Sequence, residues 1–363
     1  MLALLSALAV ALFLAVNGLA HAYRAHQGVL GNRWFTRGCA ELNAGQFSSA
    51  VSDFASALLY SPDNYSYQLN LAEALLGLKR TSEAQAYLLN LWEREPENGF
   101  VNRELARTFA QNGQTDKALR YYHNAIYAIW PDHEEAERRQ TRLELINYLL
   151  KINARAQAQS ELIALAANLA NHPSDQTQVG DLFVRAKDYE DALGAFQVAL
   201  KSDRYIVDAL AGAGLATFEL GRYSTAEHYL KAAVTANPED AESAARLKTT
   251  ELVLRMDPFQ RNLPDTRRNQ IVADAFAAAG QRLRFCSGQN ASVASGVAQP
   301  SLAELWQSMK PRITPRGLRR DPNLVETAMD LVFRIERETG ASCGGLNETD
   351  TALRLIGKSH EGG

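Results

Sequence analysis

Six alanines, Ala50, Ala84, Ala118, Ala158, Ala192 and Ala226, follow one another at intervals of 34, 34, 40, 34 and 34 residues, and each heads the same short run of apolar positions. An internal period of this kind constrains the fold more than any other property of the chain. A unit of about 34 residues is too small to enclose a core, so neighbours must stack, and a pair of short helices fills the period.

The units can be read in register. Starting at Gly31, the first carries Trp34, Gly38, Gly45, Phe47, Ala50, Phe54, Ala57 and Pro62. The second keeps Leu71, Ala72, Ala84, Leu88 and Pro96, and the third Leu105, Ala106, Gly113, Ala118, Tyr122 and Ala125. Residues 133–138 are inserted before a divergent fourth unit that retains Leu145, Leu149, Ala158, Leu162 and Leu165. The fifth has Gly180, Phe183, Tyr189, Ala192, Phe196 and Ala199, and the sixth Gly214, Gly221, Tyr223, Ala226, Leu230, Ala233 and Pro238. Two antiparallel helices that approach closely need small residues where they cross, so Gly38, Ala72, Ala106, Gly180 and Gly214 are expected to face the repeating alanines. Bulky residues four positions after each alanine then fill the layer between units. Gly45, Gly113 and Gly221 fall where a left-handed turn separates the helices, and the prolines end each second helix.

Small, aromatic and proline positions thus recur together, and over residues 31–240 the chain resembles the tetratricopeptide repeat (TPR) family. The resemblance implies an all-α, right-handed solenoid of about six helical hairpins used as a protein-interaction scaffold. Residues 241–256, with Leu247, Leu252, Val253 and Met256 among charges, read as a helix capping the open end of the array. As a whole the chain also resembles bacterial membrane-anchored TPR proteins of unknown function.

In this family the first helix of each unit lines a groove, which places Phe35, Leu69, Asn70, Glu73, Phe100, Arg103, Arg107, Leu143, Asn147 and Asp181 on the expected partner-binding face. Arg103 and Arg107 lie one turn apart, so their guanidinium groups either hold a carboxylate or acidic segment together or pair internally with Glu73 or Glu104. A well-known subgroup grips a C-terminal carboxylate with Lys, Asn and Arg. The matching positions are Phe35, Cys39, Asn70, Phe100 and Glu104; only Asn70 agrees, which argues against that mode. The expected ligand is an amphipathic or acidic protein or peptide segment.

The first 22 residues read as a transmembrane anchor or a signal segment, because no charge appears before Arg24 and about 20 apolar residues span a bilayer core as a helix. The Ala20-His21-Ala22 triplet has the form of a cleavage site. The sequence therefore predicts a single-pass membrane protein. Arg24, Arg33 and Arg37 after the span favour a cytoplasmic array, whereas the cleavage-like triplet and the cysteines favour an extracytoplasmic one. Cys286 and Cys343 could pair in an oxidising compartment or remain two reduced thiols.

Residues 257–363 read as a helical tail with a Ser/Gly/Ala-rich linker at 287–300. The apolar face of residues 323–338 should dock on the last helices of the array. Lys310, Arg312, Arg316, Arg319 and Arg320 form a basic run that reads as a solvated loop. The net charge of -3 and the absence of aromatics interleaved with that run argue against nucleic acid. No catalytic, cofactor or metal motif stands out: the seven histidines lack HExxH spacing and the three cysteines lack a CxxC pair. The function expected is a non-catalytic, membrane-tethered scaffold that binds a protein or peptide; the alternatives are a structural subunit that self-associates through array and tail and an enzyme accessory using the tail cysteines.

Overall fold

A computed structural model of the chain describes residues 2–130, 134–169, 172–289 and 301–361. Among these residues the secondary structure is helical, without strands and with one isolated bridge between Asn98 and Ile129. The chain divides into two compact units, Met1–Glu161 and Leu162–Gly363.

The first unit is a run of stacked hairpins. It comprises α1 (Leu2–Asn43), α2 (Phe47–Tyr60), α3 (Tyr65–Gly77), α4 (Thr81–Arg94), α5 (Gly99–Gln111), α6 (Thr115–Tyr127), α7 (Glu134–Lys151) and the start of α8 (Arg155–Ala166). The second unit takes the rest of α8, then two further hairpins, α9 (Pro173–Arg185) with α10 (Tyr189–Ser202) and α11 (Val207–Glu219) with α12 (Tyr223–Ala236). It continues with α13 (Ala241–Met256) and a tail of α14 (Asp265–Gln289), α15 (Leu302–Met309), α16 (Pro315–Arg320), α17 (Leu324–Ser342) and α18 (Glu348–Glu361).

Local sequence explains the boundaries. Pro62, Pro96 and Pro238 cannot extend a helix, and two residues after each comes a capping side chain. Asn64 accepts from the Tyr67 amide at 3.1 Å, Asn98 from Val101 at 3.3 Å, and Asp240 from Glu242 and Ser243 at 3.1 Å. Each Pro-x-Asn/Asp triplet therefore closes one hairpin and starts the next helix. Gly45, Gly113 and Gly221 turn their hairpins at φ 73, 70 and 72°, in the left-handed region. Lys79, Asn153 and Lys187 adopt the same conformation at φ 60° in the second, fourth and fifth hairpins, at some steric cost for a side chain with Cβ.

The crossing points differ in detail from the expected small-on-small pairing. A Cβ on Gly38 would sit 2.7 Å from the Phe54 ring, one on Gly180 2.6 Å from Phe196, and one on Gly214 2.7 Å from Leu230. Glycine thus makes room for the bulky residue four positions after the repeat alanine, and not mainly for the alanine. The Phe196 ring also covers Gly212 of the following hairpin, so one fully buried side chain joins two repeats. Burial of such a ring contributes about 1.5–3 kcal/mol. The inserted residues before the fourth unit lengthen a helix: α7 has 18 residues where α3 and α5 have 13.

Two expectations need correction. The apolar N-terminal segment is the leading part of a 42-residue helix that runs on into the first repeat, and no helix of the described residues is long and apolar enough to cross a membrane. That finding counts against the single-pass membrane protein. The apolar face of α17 also packs chiefly on α14 and α18 and not on the array. Met329, Val332 and Ile335 are buried mainly among tail residues, with Val272, Phe276 and Leu353, in a core that also takes in Val253 of α13 and Tyr223 of α12, and it is α18 that packs on α13. There Lys248 pairs with Glu348, His360 Nε2 lies 3.6 Å from Asp257, and the Tyr223 hydroxyl donates to Leu355 O at 3.4 Å. The expected linker falls partly outside the described residues; up to Gln289 the chain is still helix α14.

Candidate functional site

The first helices of the hairpins in Met1–Glu161 carry nine of the ten residues expected on a partner face; Asp181 lies exposed on α9 in the other unit. The nine are not equally available. Phe35 is half-buried, stacked 4.8 Å from Tyr67 and 5.7 Å from Phe54, so it belongs to the seam between the first two hairpins. Asn70 donates to Ser66 O at 2.9 Å while its Oδ1 lies 3.9 Å from the Cys39 thiol. Phe100 packs edge-on to Trp130 at 4.8 Å, and the Arg103 guanidinium lies over both rings, at 5.5 and 5.0 Å. Leu69 and Leu143 are half-buried, and Glu73 and Asn147 are exposed, the latter donating to Leu143 O at 2.9 Å.

The arginine pair has no spare charge. Arg103 donates to Glu137 and lies 3.7 Å from Glu104. Arg107 grips Glu144 through two bonds of 2.9 and 2.6 Å and reaches Glu104 at 2.5 Å. The internal pairing left open above is the one observed, with Glu104 as the shared partner. Glu104 is buried, and burial pushes its carboxyl up to about 7 although Arg107 pulls the other way. Two guanidinium groups here face three carboxylates of the chain itself. These residues form a ladder that ties α5 to α7, fixing one hairpin against the next.

Glu137 and Glu144 escaped the sequence reading because they fall in or just before the divergent fourth unit, where the insertion obscures the register. The position equivalent to Arg103 in the fourth unit is Leu143, 40 residues on, and Glu137 falls within the inserted residues 133–138, off the repeat register.

A second polar cluster sits in the tail. Cys286 and Cys343 are disulfide-bonded with Cα atoms 5.6 Å apart. One turn before Cys286, the buried Arg282 donates to Thr339 Oγ1 at 3.2 Å, Thr339 O and Gly345 O at 3.1 Å, and Gly344 O, and lies 3.7 Å from Asp350. Gly344 and Gly345 turn their carbonyls inward with φ of 58 and 55°. Of the basic run, Lys310 lies over the Trp306 ring at 5.1 Å and Arg312 reaches Asp321 at 3.3 Å.

Stacked helical pairs with a period of 34 residues, and small residues where each pair meets a bulky neighbour, define a helical repeat protein. Models of the tetratricopeptide repeat match residues 41–102 and 177–243, and the chain is a TPR protein. It is 27% identical over 152 residues to the inactive TPR repeat-containing thioredoxin TTL3 of Arabidopsis thaliana, a match covering 41% of this chain and spanning about a fifth, 22%, of that protein's length. Among solved structures it is similar to the C-terminal part of a TPR repeat-containing protein from Cytophaga hutchinsonii, at 11% identity and TM-score 0.47 over 88% of this chain and 99% of that one. It is also similar to YrrB, described as a TPR protein with an unusual peptide-binding site, at 16% identity and TM-score 0.42 over 54% of this chain and 97% of that one. TPR proteins are generally non-catalytic, and the repeats suggest a protein–protein interaction scaffold.

Proposed function

We propose that the chain is a scaffold whose first-helix face in Met1–Glu161 binds an amphipathic segment of a partner protein, with basic rather than acidic residues in that segment. The observation that carries this reading is the composition of the face. The Arg103–Glu137 and Arg107–Glu104–Glu144 bonds hold its polar groups in place, leaving the half-buried Leu69 and Leu143 to take apolar side chains and the exposed Glu73 to take a cation. The charge balance agrees. Even with Glu104 protonated, the carboxylates of Glu73, Glu137 and Glu144 outnumber the guanidinium groups of Arg103 and Arg107.

The test is site-specific photocrosslinking in cells, with the reactive residue placed at position 73 on α3 or at the exposed position 82 on α4. A discrete adduct from 73 that is absent from 82 and weakened by the Leu69→Asp change is the expected result. Equal adducts from the two helices, or none from position 73, would reject the face.

A further inference from the structure

The tail contains a cleft that neither the array nor the disulfide accounts for. It lies between α17 and α18 and has a volume of about 400 Å³, within the range of about 300–1,000 Å³ common for small-molecule sites. Its floor is apolar: Phe333 from α17, Leu346 from the connecting loop and Leu355 from α18. Gly357 keeps that floor tight, since a Cβ there would meet the Phe333 ring at 3.0 Å. Its rim is cationic, with Arg337, Arg354 and Lys358, and no carboxylate lines it among the described residues.

The rim charges are placed unfavourably for the protein alone. Arg354 and Lys358 stand one turn apart on the same face of α18, a like-charge spacing that weakens a helix. The nearby acids are committed elsewhere: Glu338 to Arg334 at 2.8 Å, Glu348 to Lys248, and Asp350 to Arg282 at 3.7 Å. Glu336, one residue from Arg337, is fully buried with neither oxygen hydrogen-bonded. Burial and the adjacent Asp350 push its carboxyl up to about 8, so at neutral pH it adds little negative charge beneath the rim. An apolar floor flanked by Arg354 and Lys358, two cations one turn apart, is complementary to an anion attached to a hydrocarbon body.

We propose that the cleft between α17 and α18 binds a small organic anion with an aliphatic body, of the chemistry of a medium-chain carboxylate, its chain on Phe333, Leu346 and Leu355 and its charge between Arg354 and Lys358. The site is separate from the first-helix face, and either assignment can fail without the other.

Isothermal titration of the full chain with decanoate, kept below its micellar concentration, tests the site. Saturable one-to-one binding is expected, together with much weaker binding of decanol, which lacks the charge, and of acetate, which lacks the body. The R354Q/K358Q variant should bind decanoate about tenfold or more weakly, because charge-assisted bonds are lost. Leu346→Glu, which puts a carboxylate on the floor at a half-exposed position, should abolish binding. Circular dichroism of both variants is expected to be unchanged. The proposal is overturned by absence of saturable heat, by decanol binding as well as decanoate, or by undiminished affinity in R354Q/K358Q with its helix content intact. An acidic amphipathic peptide that takes the cleft while decanoate does not would overturn it as well, in favour of a protein ligand.

Discussion

The first unit and the tail both use arginine to join helices, and they do so in opposite ways. Arg103 and Arg107 lie half-buried on a helix face and reach carboxylates on the neighbouring hairpin, 34 and 37 residues away. Arg282 has a side chain only 2% exposed and is satisfied mostly by backbone oxygens of a turn 62 and 63 residues away. The array is held by many similar contacts between neighbours, each worth little alone; the tail concentrates its cohesion at one point. Damage should therefore be graded in the first unit and abrupt in the tail.

The largest effect is expected from Arg282→Ala. It would strand the Asp350 carboxylate and several inward-facing carbonyls without a donor, at a cost of about 3–5 kcal/mol. Arg107→Ala removes a guanidinium that water still reaches and leaves Arg103 beside Glu104, so a loss of about 1–2 kcal/mol is expected. Denaturant titration followed through Trp306, which stacks on Phe276 at 5.5 Å in the tail core, reads the first of these. Hydrogen exchange of α5 and α7 amides reads the second. Equal losses would remove the contrast between the two regions.

Between these two in size is the Cys286–Cys343 bond, which closes a sequence separation of 57 residues. Replacing both cysteines with serine should cost about 3 kcal/mol, chiefly by freeing the unfolded chain. Since Arg282 holds the turn directly after Cys343, the two losses are not independent. Combining R282A with C286S/C343S should cost less than the sum of the separate effects, and strict additivity would show that the latch and the disulfide stabilise different parts of the tail.

The pH response should separate the regions further. Glu104 and Glu336 have carboxyl groups raised from 4.5 to about 7 and about 8. A carboxyl with a raised folded-state pKa stays protonated in the native protein while the unfolded chain has already ionised, so stability is complete below the unfolded value and falls as pH rises towards the folded one. The first unit should finish losing stability near pH 7 and the tail near pH 8, with the larger loss in the tail because its carboxyl is raised further. Glu336→Gln should flatten the tail's response and leave that of α5 unchanged. A tail whose stability rises with pH would mean that Glu336 is ionised in the folded protein.

The same contrast explains what could be read from the residues. The hairpins were legible because their rules are local: Pro-x-Asn caps, small residues at crossings and a bulky partner four positions on all repeat with one period. The Arg103–Glu137 bond was not legible in this way, because Glu137 belongs to the inserted residues and sits off the repeat register, and the charges alone did not tell whether the arginines face a ligand or carboxylates of the chain itself. The Arg282 cluster left no such trace. Its acceptors are backbone oxygens of Thr339, Gly344 and Gly345, which have no side-chain signature and lie far along the chain. The N-terminal segment was read by composition alone, which cannot tell a separate apolar span from the leading part of a long repeat helix.

The smallest expected effects test whether the repeats are energetically equivalent at their turns. Three hairpins turn on glycine, and three do so on Lys79, Asn153 and Lys187 in the same left-handed conformation. A side chain with Cβ loses about 1 kcal/mol there relative to glycine, partly offset by glycine's greater freedom in the unfolded chain. Lys79→Gly and Lys187→Gly should therefore stabilise by somewhat under ~1 kcal/mol, while Gly45→Ala and Gly113→Ala destabilise by a comparable amount. Asn tolerates the conformation better than most residues, so Asn153→Gly should change little. Thermal unfolding of the five variants gives a signed ordering independent of any ligand. If the lysine-to-glycine changes instead destabilise, the lysine turns are held by side-chain contacts and the repeats are not interchangeable at this position.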